Sequence, residues 1–207
     1  MPLRAVYRAR RESSTWTLSV SLAVLICGWH PALAIEVAPT PAQVAAAVQR
    51  GKDSAERREP PDRLYAWFGP DEELASRGFI LTKLVGVTVM ASHFALRGET
   101  PADSDLRQIL DGTSFLVTVM ILGDRPNFAV NSYVVMDQAG TTVKPISVRF
   151  DGSASRTTVW PKAPAYRAKV VASFNYADLD PRAKTTLSVF PPGGGEVNFE
   201  LDFSTIQ

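Results

Sequence analysis

Few side chains in this sequence of 207 residues could do covalent chemistry, and their spacing limits them further. The chain has one cysteine, Cys27, and two histidines, His30 and His93. Ser92 adjoins His93, but sequence neighbours on a helix or strand do not face each other, so the pair is no nucleophile–base dyad. No Gly-x-Ser-x-Gly elbow occurs. His93 therefore reads as a partly buried structural histidine on an apolar helix. One histidine and no cysteine beyond residue 34 cannot assemble a transition-metal site, so no metal and no cofactor is expected. Asp178 and Asp180 share a turn but lack the further oxygens that calcium needs, and they read as turn formers. Glu200 and Asp202 alternate on one strand face, about 7 Å apart by the strand rise. Such a carboxylate pair could serve a hydrolase. On a terminal strand beside Asn198 it reads instead as a wet face that discourages edge-to-edge pairing. The glycine run in "PPGGGE" lies between two strands, where it makes a hairpin rather than a phosphate cradle. The residues point to a protein that is not an enzyme.

Binding chemistry is better represented. "RFDGSASRTTVWPKAPAYRAK" (149–169) joins two strands through a long, turn-rich connection. Long ordered loops on rigid scaffolds carry binding function. Arg156, Trp160, Lys162, Tyr166 and Arg167 mix aromatic faces with positive charge, which suits an acidic or glycan-like ligand or the acidic patch of a partner protein. A second candidate patch is Tyr65 and Trp67 in "RLYAWFGPDEEL"; the alternative for these aromatics is a flap that covers the core.

The elements that position these residues begin with a leader. Arg4, Arg8, Arg10 and Arg11 precede an apolar run from Leu18 to Trp29, and "ALA" follows at 32–34. That is the pattern of a secretory signal peptide, with cleavage expected after Ala34. The apolar core is too short for a membrane span, which needs about 20 residues. Lipid attachment at Cys27 fits poorly, because the large Ile26 precedes it. Residues 35–207 then carry 18 basic and 20 acidic side chains and no cysteine, so no disulfide and no field for nucleic acid is expected. A bacterial periplasmic or secreted address follows, with no membrane span after cleavage.

Residues 35–63 are expected to form an N-terminal helix and linker. Thr40 caps, Pro41 opens, Gln43 completes a capping box, and Gly51 ends the helix. "KDSAERREPPD" reads as solvated linker or frayed helix end. Residues 64–207 are expected to form one β-rich domain. β-branched residues predict a strand at 79–86, and Met90 to Arg97 predict a helix at 87–97. "TPADSDLRQILDG" predicts a second helix capped at Thr100, which makes a helical insertion near 87–111 after the first strand. Further strands are predicted at 113–123, 127–137, 141–150, 166–176, 184–190 and 196–203. The last alternates cleanly, with Val197, Phe199, Leu201 and Phe203 on one side. About seven short antiparallel strands indicate a β-sandwich.

"PRAKTTLSVFPPGGGEVNFELDF" and "GDRPNFAVNSYVVM", with the leader, resemble uncharacterised exported β-sandwich proteins of Gram-negative bacteria. The ends of those proteins look like the last hairpin of an immunoglobulin-like domain. The resemblance covers the last half of the chain. It implies an immunoglobulin-like sandwich in the cell envelope and brings no catalytic residue. The expected role is binding of an envelope protein or polymer. The alternatives are a carboxylate-dependent hydrolase using Glu200 and Asp202, or a tethered structural domain if the leader is retained.

Overall fold

A computed structural model describes residues 35–203. The predicted leader, Cys27 and the cleavage residue Ala34 lie outside the described residues. Among those described, no helix is long and apolar enough to cross a membrane.

The described residues build three helices, α1 (Pro41–Glu56), α2 (Lys83–Leu96) and α3 (Asp103–Leu110), and ten strands. The strands are β1 (Ala66–Phe68), β2 (Arg77–Leu81), β3 (Ser114–Gly123), β4 (Tyr133–Gln138) and β5 (Thr141–Val143). They continue with β6 (Ser147–Phe150), β7 (Ser155–Arg156), β8 (Tyr166–Asn175), β9 (Lys184–Phe190) and β10 (Val197–Asp202). One antiparallel sheet runs β1-β2-β3-β8-β6, with β7 also pairing on β8; the other runs β10-β9-β4-β5. The order β2-β3-β8-β6 facing β10-β9-β4-β5 is the A-B-E-D over G-F-C-C′ arrangement of immunoglobulin-type sandwiches. Helices α2 and α3 are inserted between the first two of those strands.

Alternation along the central strands fills the space between the sheets. Val117, Val119, Ile121, Val170, Ala172 and Phe174 come from one sheet, and Val134, Met136, Leu187, Val189 and Leu201 from the other. At the end near β1, Phe68 meets Phe199 edge-on at 5.0 Å and links the sheets. Apolar burial occupies the place that a B–F disulfide takes in antibody domains. Ile35, the first residue after the expected cleavage point, belongs to the same core.

Several boundaries differ from expectation for identifiable reasons. The seven predicted strands become ten. The segment 141–150 breaks at Lys144-Pro145, and its halves β5 and β6 lie in different sheets. Proline cannot donate to a ladder, so the crossing falls there. Short β1 and β7 add the other two. The predicted strand 127–137 starts only at Tyr133, because 125–132 is a series of turns with Asn131 in the left-handed region. The predicted strand 79–86 ends at Leu81. Thr82 instead caps α2, its hydroxyl accepting from the Val85 amide at 3.3 Å. Val85, Val87 and Thr88 are helical and buried, so tertiary packing overrides their strand preference. Helix α3 starts two residues later than expected, at Asp103, where the Asp105 carboxylate accepts from the Ala102 amide at 2.8 Å.

The Thr40–Gln43 capping box forms as expected. Gly51, however, does not end α1; the helix continues to Glu56 through what read as linker. Gly51, Ser54 and Ala55 are buried where α1 packs on α2. A Cβ at position 51 would lie 2.8 Å from both the Ala91 Cβ and the Ser92 nitrogen, and closer still to the Thr88 carbonyl oxygen. The glycine permits two helix backbones to touch.

Candidate functional site

The loop between β7 and β8 is closed at its base by Thr157. Its amide donates to the Ala165 carbonyl at 3.0 Å, and its hydroxyl donates to the Pro164 carbonyl at 2.6 Å. Within it, the Trp160 amide donates to Thr157 at 3.2 Å and the Lys162 amide to Val159 at 2.9 Å. The Trp160–Pro161 and Ala163–Pro164 bonds are cis. Trp160 is 43% exposed. The Arg156 guanidinium stands 4.0 Å from its ring centroid, a cation–π pair at the surface. Arg156 and Lys162 are exposed, and among the described residues neither makes an ion pair. The loop thus presents an aromatic ring and two uncompensated cations together.

The structure divides the remaining predicted residues. Tyr166 opens β8 opposite Arg156 and is half-buried. Arg167 donates through its guanidinium to the Glu73 carbonyl. Its positive end therefore fastens the 69–76 segment against the sheet rather than facing a ligand. Tyr65 stacks on Phe79 at 4.3 Å, and Trp67 meets Phe79 edge-on at 5.1 Å. The Trp67 indole N–H donates to the Asp62 carbonyl at 2.7 Å. Arg77 lies 4.2 Å over the Trp67 ring and is ion-paired to Asp71. Tyr65 and Trp67 thus cover the outer face of β2, and the Trp67 indole N–H is already matched. Trp67 keeps 37% exposure, so it adds aromatic surface without a free cation.

The two patches belong to the same sheet at different levels: Trp67 is in line with Phe79, Thr118 and Val171 at mid-strand, whereas Arg156 pairs with Tyr166 at the start of β8. Trp67 is in register with Phe79, Arg77 with Met120, and Met120 with Lys169, two residues from Arg167. Arg167 in turn pairs with Ser155, the neighbour of Arg156.

The candidate catalytic groups do not converge. Glu200 and Asp202 face outward from the edge strand β10, and the Glu200 carboxylate accepts from the Thr186 hydroxyl at 3.0 Å. The Asp180 carboxylate accepts from the Arg182 amide at 2.9 Å, while the Asp180 backbone is held by the Gln138 side chain. No group of three or more His, Cys, Asp or Glu gathers among the described residues.

His93 is exposed, not the partly buried residue expected from its apolar surroundings. It stands on a cleft of about 570 Å³ between α2, α3 and strands β2 and β3. This cleft was missed in the sequence. Its signal was there: "KLVGVTVMASHFAL" is apolar on every side, and a helix of that kind needs cover all round.

No family model and no curated protein matches the chain. Among solved structures it is similar to the archaellum periplasmic stator protein FlaG from Sulfolobus acidocaldarius. That likeness has 15% identity and a TM-score of 0.30, and spans 43% of this chain and 86% of the other. It is also similar to a chain of the FlaF–FlaG stator complex from the same organism, with 15% identity, a TM-score of 0.30, and 43% and 77% of the two chains covered.

Proposed function

We propose that this protein is an exported, non-catalytic binding module of the cell envelope. Its binding site is the Trp160 loop, and its ligand is the acidic surface of an envelope protein or an anionic envelope polymer. One observation carries this reading: Trp160 is exposed under Arg156, two residues from Lys162, and neither cation has a carboxylate partner among the described residues. Exposed tryptophan and arginine held on a closed loop are the residue types that dominate binding hot spots.

Export enters through the leader, and intact mass of the exported protein tests it. Loss of residues 1–34 is expected; retention would favour a tethered domain. The site is tested by replacing Arg156 and Trp160 together with alanine and capturing ligand from envelope extract. Capture should fall at least tenfold with an unchanged melting temperature, and should weaken as salt rises. Equal capture by the variant would refute the assignment of the loop.

A further inference from the structure

The cleft beside α2 is separate from the Trp160 loop and differs from it in kind. One wall is the α2 stripe Lys83, Gly86, Met90, His93 and Arg97, whose alternating three- and four-residue steps keep it on one helix face. Ile109 of α3 forms the opposite wall, and Leu81 and Leu116 of the sheet form the floor. Gly86 lets α2 come close to α3 at one point of the cleft: a Cβ there would stand 3.3 Å from the Ile109 side chain. From Lys83 to Arg97 the helix rises about 21 Å, so the cleft is elongated. Its volume of about 570 Å³ is that of a small-molecule site rather than a packing void.

The charge pattern selects the ligand. Lys83, His93 and Arg97 line the cleft, and no carboxylate does. The Lys83 ammonium lies 5.5 Å from the Tyr176 ring and makes no ion pair among the described residues. Arg97 stacks at 4.7 Å over Phe94 and meets Glu99 only through Nε at 3.3 Å, in solvent. An apolar trough with cations at its ends and no anion along it is complementary to a single-chain amphiphile with a negative head. We infer that this cleft binds a long-chain acyl carboxylate, with the tail against Met90, Ile109 and Leu116 and the carboxylate at the cationic rim. Burial of the tail supplies the affinity, and the cations supply the choice of head group.

Calorimetric titration of the purified full chain with sodium laurate, below its micellar range, tests this. Dodecyltrimethylammonium, which carries the same tail with the opposite charge, is the control. Laurate should bind with a negative heat-capacity change and at least tenfold more tightly than the control. Val89→Trp, which fills the cleft from α2, should reduce laurate affinity at least tenfold. Ile109→Trp fills it from α3 and serves the same purpose should the first variant fail to fold. The double variant Lys83→Gln/Arg97→Gln should remove the preference over the cationic amphiphile while leaving melting unchanged. Equal binding of the two amphiphiles by the unmodified protein would overturn the inference. So would laurate affinity that survives both filling variants. A dimer that dissociates in the filling variants, with no laurate binding, would assign the cleft to a second copy of the chain and also overturn it.

Discussion

Replacing Gly51 with alanine should destabilise the protein, although the same change in an exposed helix interior stabilises it by about 1 kcal/mol. The added methyl would stand 2.8 Å from the Ala91 Cβ and 2.8 Å from the Ser92 nitrogen, and nearer still to the Thr88 carbonyl. Carbon atoms in ordinary contact lie roughly 3.5–4.0 Å apart, so α1 must move away from α2 by about 1 Å. Neither backbone can step aside as a flexible side chain would. Overpacking of this kind costs about 1–3 kcal/mol, and loosening the buried Ala47, Ser54 and Ala55 adds to it. Set against the propensity gain, the net loss is about 2 kcal/mol. For a domain of this size that lowers the melting temperature by about 4–8 °C. Thermal denaturation followed by circular dichroism reads the change. Gln49→Ala, an exposed change in the same helix, controls for propensity and should leave melting unchanged or raised. A melting temperature for Gly51→Ala at or above the parent value would refute the close helix contact. The contact matters for function because α2 is held between α1 on one side and the amphiphile cleft on the other.

Ser54 and Ser92 sit in that same interface with buried hydroxyls that lack a hydrogen-bond partner among the described residues. Alanine at either should be neutral or stabilise by up to about 1 kcal/mol, the opposite sign to Gly51→Ala, by chemical denaturation. Phe174→Ala removes a fully buried ring 5.9 Å from Phe115 and should cost about 3–5 kcal/mol by the same assay. Thr40→Ala removes one half of the capping box and should cost about 1 kcal/mol. Burial pushes the Tyr176 phenol up to about 12 from its ordinary 10, while its oxygen accepts from the Lys83 amide at 3.1 Å. The neutral phenol is therefore favoured by folding. Its contribution is complete below pH 10 and is lost as pH rises to 12, by about 3 kcal/mol. Denaturation measured across that range should show the loss in the parent and not in Tyr176→Phe.

The strands marked by apolar, β-branched runs or by alternation were legible. β3, β8, β9 and β10 fall within a residue or two of expectation, because one face of each must be apolar and β-branched residues suit the pleat. The Thr40 cap was legible because its chemistry is local. Gly51 was not, since glycine both ends helices and lets them touch, and only the partner helix decides between the two. The segment 141–150 reads as one strand although it contains Pro145, and nothing nearby says that the chain changes sheets there. Thr82 and the valines after it carry strand preference and fold as helix because α2 is packed on several sides. The Trp160 loop was recognisable from composition. The matching of Arg77 to Asp71 and of Arg167 to the Glu73 carbonyl was not, because those partners depend on how the 69–76 connection folds over the sheet. The α2 cleft is lined wholly by residues between Leu81 and Leu116, but how α2 and α3 fold back on β2 and β3 is not written in that stretch; its local trace was an all-round apolar helix.

The central claim is that the Trp160 loop is where this protein meets its partner. Site-specific photo-crosslinking in the intact cell tests it most directly. A benzophenone side chain placed at position 160 should yield a discrete higher-mass adduct. The same group at position 146, where Ile146 is 62% exposed on the connection between the sheets, should not. An adduct at 146 with none at 160 would contradict the account.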